Sequence, residues 1–167
     1  MATPPLVALC FLLGALPICL WAGYTDLSQM RIPNRAVLLL AGVFAVGGLA
    51  LLPLEGWTIS DWAWRWTHLL VILILGMFLN LVWLLGAGDA KLAAAAAPFV
   101  ALADWRDFLS IFLASMLICW FVHRTAMVTV GRRFAPDWAS WHSGKRFPMG
   151  VVFGTALLAY LAFAAAA

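Results

Sequence analysis

The sequence predicts an all-α integral membrane protein with about six transmembrane helices and its N-terminus outside. The first observation is composition, because 66% of the residues are hydrophobic and only 10% are charged, whereas a soluble domain carries about 25% charged residues. The second is a mean hydropathy of +1.02, and the third is the sorting of basic residues between loops. At 167 residues, we expect a single membrane domain over 1–167 without a separate soluble module.

Six apolar segments give the predicted helices. A span needs about 20 helical residues to cross a hydrocarbon core of about 30 Å. Four segments meet that length, the fourth in order is short, and Thr125 to Val130 can continue the fifth beyond the membrane. The segments are Leu6–Tyr24, Ala36–Leu54, Trp66–Leu85, Leu92–Ala103, Phe108–His123 and Phe147–Ala167.

The loops between these segments differ sharply in charge. With the N-terminus outside, eight of the ten basic residues face the cytoplasm, as the positive-inside rule requires. Those eight are Arg31, Arg35, Lys91, Arg124, Arg132, Arg133, Lys145 and Arg146. The outer side then holds the other two basic residues, Arg65 and Arg106, and most of the acids, Glu55, Asp61, Asp104 and Asp107. It also holds four tryptophans that we expect to anchor at the interface, Trp57, Trp62, Trp64 and Trp66.

The composition also argues against several kinds of site. The three cysteines lie in apolar runs and form no C-x-x-C pair, so neither a zinc module nor a redox motif is indicated. His123 and His142 lack metal-ligand spacing, and we interpret both as structural. The loop from Arg124 to Arg146 mixes tryptophan with basic residues, which favours contact with anionic lipid over nucleic acid. We expect neither a metal nor an organic cofactor.

One aspartate lies in the most apolar part of the chain, within Gly86-Ala87-Gly88-Asp89-Ala90-Lys91. An ionisable group at the edge of the hydrocarbon costs several kcal/mol unless it is paired or hydrated. Such a residue is a functional-site hypothesis, provided that a partner can be named. The charge topology names Asp26, because Asp26 follows the first predicted helix and Asp89 precedes the fourth, so both lie at cytoplasmic helix ends.

Two neighbouring carboxylates do not both ionise cheaply, so they tend to share one proton. The ionised member can then remove a proton from water while the protonated member donates to a carbonyl oxygen. Simpler interpretations stay open. Asp89 can be only an N-cap for the fourth helix, and Asp26 can be an exposed turn residue ahead of Ile32-Pro33-Asn34.

The neighbours of Asp89 suit close approach of a substrate. Gly86 and Gly88 remove side-chain bulk and allow backbone conformations closed to other residues. Lys91 can pair with an acid, stabilise an oxyanion or contact lipid phosphate. Asn80 is interpreted as a helix-to-helix hydrogen bond rather than a catalytic group.

These residues together resemble the prepilin peptidases, the membrane aspartyl proteases with a G-x-G-D motif. The matching strings are Asp26 followed by Ile32-Pro33-Asn34, then Gly86-Ala87-Gly88-Asp89-Ala90-Lys91-Leu92, and Phe147-Pro148-Met149-Gly150, which is similar to the segment that opens the family's last helix. The resemblance implies that Asp26 and Asp89 are the catalytic pair. The motif residues that would support them are Gly86, Gly88, Lys91, Pro33, Asn34, Pro148 and Gly150.

The resemblance also implies a substrate and a location. Prepilins and pseudopilins carry a short basic leader and then a hydrophobic helix, and the family cuts them on the cytoplasmic side of the inner membrane. Larger members add a cysteine-rich cytoplasmic loop and N-methylate the product. That loop is missing here, so methyltransferase activity is not implied. The compact form is most similar to the peptidases of tight-adherence (Flp) pilus systems, with archaeal preflagellin peptidases next.

Two other functions fit the same residues. A small proton-coupled transporter could use Asp26 and Asp89 as a relay, since membrane carboxylates commonly have that role. A non-catalytic subunit of a pilus or secretion assembly could use them merely as helix caps. The expected partners are the substrate helix and membrane lipid, and the sequence indicates no oligomeric state.

Overall fold

The computed structural model describes residues 1–54, 56–129, 131–144 and 146–167. Glu55 and Lys145, which entered the sorting of charges, lie outside the described residues. So do Val130 and the side chain of Arg132.

The described residues are all-helical, as predicted. The helices are α1 (Pro5–Gln29), α2 (Asn34–Ala50), α3 (Ile59–Leu81), α4 (Ala87–Ala96), α5 (Trp105–Val128), α6 (Gly131–Phe134) and α7 (Met149–Ala166), of which α6 is only one turn long. Within α2, Val43–Gly47 forms a π-helical segment. Short 3-10 turns cover Ala97–Phe99, Leu102–Asp104 and Ala139–Trp141.

Among the described residues, four helices are long and apolar enough to cross a membrane: Pro5–Gln29, Ile59–Leu81, Leu102–Val128 and Met149–Ala166. The second predicted span is the shorter α2, about 25 Å long at 1.5 Å per residue. The fourth is α4, which gives way to a 3-10 turn at Ala97–Phe99 because Pro98 supplies no N–H to continue the helix. The second and fourth segments are therefore shorter than the other four, and the fourth is the one that was expected to be short. The fifth continues past His123 to Val128, close to the expected extension.

Small residues allow the helices to approach closely. α1 and α7 run antiparallel, and a Cβ added to Gly154 would lie 3.3 Å from the Cβ of Cys19. A Cβ on Gly76 of α3 would lie 2.8 Å from the Cβ of Ala90 on α4, closer than van der Waals contact. Because membrane helices gain much of their association energy from such packing, α4 is held firmly against α3 although it is short.

An aromatic cluster fills the core. Phe11, Phe44 and Phe99 are fully or almost fully buried and their ring centroids lie 5.1–5.5 Å apart. Trp57 packs against them with 3% of its surface exposed, and its indole N–H donates to the Gly48 carbonyl at 2.7 Å. The expectation that Trp57 anchors at the lipid interface was therefore wrong, because Gly48 lies in the last turn of α2, where a carbonyl has no partner within the helix and the indole satisfies it.

The bundle has two chemically distinct ends. At one end, Asp26 of α1 meets Gly150 of α7. We call this the Asp26 end. At the other, Thr3 meets Tyr160 of α7, which bonds Asp104. We call this the Asp104 end.

Candidate functional site

Asp26 lies inside α1, not in a turn. The helix continues beyond the predicted end at Tyr24 to Gln29, and the Asp26 side chain is only 5% exposed. The interpretation of Asp26 as an exposed turn residue was therefore wrong. α1 ends at Met30, which adopts a left-handed conformation (φ 52°) and donates its N–H to the Asp26 carbonyl at 2.9 Å.

The N-terminus of α7 binds the Asp26 carboxylate. Gly150, in the first turn of α7, donates its N–H to Asp26 Oδ2 at 2.7 Å. First-turn N–H groups have no partner within their own helix, so they are free to hold an anion. A Cβ on Gly150 would lie 2.9 Å from Asp26 Oδ2 and 2.9 Å from Ile32 Cδ1. Only glycine fits this position without displacement of its neighbours.

Ile32 joins the three motifs. It is buried, and it packs against Gly150 from one side and against Gly88 from the other, where a Cβ would lie 3.4 Å from Ile32 Cβ. Pro33 follows as the residue that precedes α2, and its carbonyl accepts the N–H of Ala36 at 3.0 Å. The Ile-Pro-Asn string thus sets both a buried contact and the start of a helix.

Asp89 lies at the third position of α4, which starts after Gly86. The pKa of Asp89 is raised to about 7, chiefly by burial and also by the nearby charge of Asp26, while a hydrogen bond from the Gly86 backbone acts in the opposite direction. The two carboxylates therefore interact although they are 63 positions apart in the sequence. Asp89 is not itself the N-cap, since Gly86 holds that position.

The glycines of the G-x-G-D string make room for the chain's own side chains. A Cβ on Gly86 would lie 2.6 Å from Asp89 Oδ2, and the space beside Gly88 is taken by Ile32. Gly86 is exposed, and a Cβ on Gly88 would make only an ordinary van der Waals contact with Ile32, so close approach of a substrate at these glycines stays a prediction.

Lys91 links two of the motifs. Its Nζ donates to Asn34 Oδ1 at 3.3 Å, an exposed contact between the first turns of α4 and α2. This contact is none of the three roles considered for Lys91, because it joins the start of one helix to another. The hydrogen bond of Asn80 is local, since its Nδ2 donates to the Leu85 carbonyl, five residues later, at 2.8 Å. The predicted helix-to-helix bond was wrong, because α3 ends at Leu81 and Asn80 satisfies a carbonyl of the following turn instead.

Sequence reasoning missed a polar network at the Asp104 end. Asp104 accepts the Tyr160 hydroxyl at 2.7 Å and the Ala2 N–H at 2.9 Å and 3.0 Å. Arg65 donates to Thr3 Oγ1 at 3.0 Å and lies over the Trp57 ring. Arg65 and Asp104 were assigned to outer loops, yet they are 6% and 5% exposed. Tyr160, the one tyrosine of the apolar helix α7, was the available signal.

Within the described residues, no three His, Cys, Asp or Glu side chains come together in a way that could hold a metal ion. The residues that the structure brings together at the Asp26 end are Asp26, Ile32, Gly86, Gly88, Asp89 and Gly150, with Lys91 and Asn34 beside them.

Comparison with known proteins agrees with this arrangement of motifs. A model of the type IV leader peptidase family matches residues 9–123, well over half of the chain. Comparisons with curated proteins and with solved structures give no significant match. The match contains both aspartates and ends before Pro148 and Gly150. The chain is an all-α, multi-pass membrane protein that belongs to the type IV leader peptidase family, and hence to a family of proteases.

Proposed function

We propose that this protein is an aspartyl endopeptidase that removes the leader from prepilins or pseudopilins, with Asp26 and Asp89 as the catalytic pair. The observation that carries the proposal is the electrostatic interaction of these two partly or fully buried carboxylates at one end of the bundle. Family membership supports the leader-peptidase reaction. The aspartyl mechanism rests on the geometry of the site.

In this mechanism Asp26 is the base. Its carboxylate accepts the Gly150 N–H at 2.7 Å, and such a bond favours the ionised form. Asp26 takes a proton from water as the water oxygen attacks the scissile carbonyl carbon. Asp89, which carries the shared proton, protonates the carbonyl oxygen. When the C–N bond breaks, the proton held by Asp26 passes to the leaving amine, and a hydroxyl of the diol returns its proton to Asp89 as the carbonyl re-forms.

We assign the Asp26 end to the cytoplasmic side of the inner membrane. Arg31, Arg35 and Lys91 lie in or beside the loops at this end, and all three are exposed. Positive residues are retained on the cytoplasmic side. This orientation would bring the site to the side where the leader of a newly inserted prepilin remains.

A groove beside Asp26 supports the choice of a helical substrate. The groove measures about 240 Å³, and it lies on the seam of α1 and α7. Its wall begins one helical turn from Asp26 and continues toward the bundle centre, where Thr155 is exposed. The lining is apolar or small: Cys19, Leu20, Gly23, Tyr24, Leu27, Val151, Gly154, Thr155 and Leu158. Because substrate leaders and this end of the protein are both basic, we expect the apolar substrate helix to supply most of the affinity.

The groove can be tested by filling it. Thr155→Trp should raise KM for a prepilin about fivefold with little change in kcat, because it removes uniform binding. Gly42→Trp is the matched control, since Gly42 lines a separate groove between α1 and α2 and a Cβ there meets nothing within 4 Å. Equal effects of the two variants would contradict the assignment.

The deciding experiment measures prepilin cleavage by purified protein in liposomes. Asp26→Asn and Asp89→Asn should each lower kcat by about 10²–10⁴-fold, the usual contribution of general acid–base catalysis. Asparagine preserves size, and at position 26 its amide oxygen can still accept the Gly150 N–H, so the fold is retained. The control is Asp107→Asn, an exposed aspartate near the Asp104 end. Substantial cleavage by either site variant would refute the catalytic pair.

The same preparation separates the two other functions. A proton-coupled transporter would show proton flux across the liposome membrane and no leader cleavage by the wild-type protein. A non-catalytic assembly subunit would show neither, and its biological activity would tolerate both asparagine substitutions.

A further inference from the structure

Five rings form a continuous row across the Asp26 end. We call these five rings the aromatic row. Successive ring centroids lie 6.0 Å, 5.6 Å, 4.7 Å and 5.4 Å apart. In order, the row contains Tyr24, Trp138, Trp141, His123 and Phe147.

Both ends of the row lie close in sequence to the two residues of the Asp26–Gly150 hydrogen bond. Tyr24 lies on α1, two residues before Asp26. Phe147 lies three residues before Gly150, whose N–H holds Asp26 Oδ2 at 2.7 Å. The row connects α1, through the loop after α6 and through α5, to the start of α7, and the hydrogen bond connects the start of α7 back to α1.

His123 is the only member of the row supplied by α5, and it lies at the centre of the packing. It is 6% exposed, stacks on Trp141 with an interplanar angle of 27°, and meets Phe147 edge-on at 86°. Within the described residues, neither of its ring nitrogens has a hydrogen-bond partner. In this setting the imidazole contributes as a flat ring, since its polar atoms make no bond.

The segment that His123 contacts has few other means of orientation. Residues 146–148 have no regular secondary structure, and Pro148 has no N–H to donate. Ser143 holds the start of the segment, since its carbonyl accepts the Arg146 N–H at 3.3 Å and its hydroxyl donates to the Arg146 carbonyl at 2.9 Å. The Phe147 ring adds the contact with α5, immediately before the first turn of α7. Helix-end N–H groups bind an anion well only when they point at it.

We propose that His123 and Phe147 position the Gly150 N–H on the Asp26 carboxylate, so that the aromatic row is a positioning device for the reaction. This inference rests on the proposed function. The family match ends at residue 123, so Trp138, Trp141 and Phe147 lie outside the matched residues. The row couples that C-terminal part of the chain to a catalytic aspartate within the match.

The test compares His123→Leu with His123→Phe in the prepilin cleavage assay. Leucine keeps apolar volume without a flat face, and misplacement of a catalytic group by about 1 Å can cost up to about 10²-fold in rate. We expect kcat to fall about tenfold in His123→Leu while KM stays within about twofold. His123→Phe keeps the ring and should restore at least about half of the wild-type kcat. Phe121→Leu, which is 65% exposed and two positions earlier on α5, is the matched control and should behave as wild type.

Each result decides between explanations. Wild-type kcat in His123→Leu would overturn the inference while leaving the proposed function intact. Equal loss in His123→Phe and His123→Leu would overturn it too, because the imidazole itself would then be required. Absence of cleavage by the wild type refutes the proposed function instead. If His123→Leu does not purify in folded form, Phe147→Leu against Phe147→Tyr applies the same comparison from the other side of the contact.

Discussion

Both ends of the bundle bury an aspartate, and they treat it in opposite ways. At the Asp104 end, the carboxylate accepts the Tyr160 hydroxyl and the Ala2 N–H at distances of 2.7–3.0 Å, and Arg65 lies nearby as a counter-charge. At the Asp26 end, the carboxylate accepts, within the described residues, the N–H of Gly150, and its charge acts on another acid, Asp89.

Under the proposed mechanism, the difference separates a structural acid from a reactive one. A carboxylate whose acceptor sites are used by protein donors is held in place by them and has few lone pairs left for water. A carboxylate with one donor and a like-charged neighbour keeps free lone pairs for water and shares a proton with that neighbour. Burial alone would not have distinguished Asp26 from Asp104, because both are 5% exposed.

The strongest test of this comparison is Gly150→Ala. The added methyl group would lie 2.9 Å from Asp26 Oδ2, so α7 or Asp26 must shift and the hydrogen bond is lost. We expect kcat for prepilin cleavage to fall by about 10²-fold. Gly42→Ala is the control, because a Cβ there meets no atom within 4 Å. Near-normal cleavage by Gly150→Ala would show that the N–H contact is not needed.

A second test uses pH. Asp89 must be protonated to donate, and its pKa of about 7 means that this proton is lost as the pH rises through neutrality. We therefore expect kcat to fall about tenfold per pH unit on the alkaline side, with a midpoint near pH 7, and to fall again in acid as Asp26 takes up a proton. The measurement is kcat in liposomes across this range. A rate that stays constant through the alkaline side would contradict the role of Asp89 as the acid.

The smallest effect on activity is expected at the Asp104 end. Tyr160→Phe removes the hydroxyl that donates to Asp104 and accepts the Ala101 N–H at 3.2 Å. Leaving these buried groups unsatisfied should destabilise the protein by about 1–3 kcal/mol, with kcat within about twofold of wild type. Thermal unfolding in detergent and the cleavage assay measure the two quantities. A large loss of kcat at unchanged stability would break the contrast between the ends.

The sequence was sufficient for the helical class and for bringing Asp26 and Asp89 to one end. Hydropathy marked the apolar segments, and charge sorting gave their alternation, so the two acids fell on the same side without any tertiary information. The family was predicted from motifs, and the comparison with known proteins supports that family. The identity of the catalytic residues stays a prediction.

Sequence reasoning missed where a helix stops, which charged residues are buried, and which backbone group points at Asp26. Counting apolar residues did not reveal that α4 stops at a proline turn, or that the second segment, expected to be long enough to span, forms a helix of only about 25 Å. Arg65 and Asp104 looked like loop charges because their partners, Thr3 and Tyr160, are distant in sequence. Gly150 was recognised as part of a motif, but its function as the donor to Asp26 is a backbone property that no side-chain pattern encodes.

The short helices α2 and α4 have a consequence for the surrounding lipid. A helix of about 25 Å is shorter than an average hydrocarbon core of about 30 Å, and a bilayer usually meets such a mismatch by thinning locally. Thin lipid beside α2 would bring headgroups and water closer to the bundle interior than the four long helices alone would allow. We expect bilayer thickness to act on this protein as a physical variable, with acyl chain length affecting how easily water reaches the buried carboxylates.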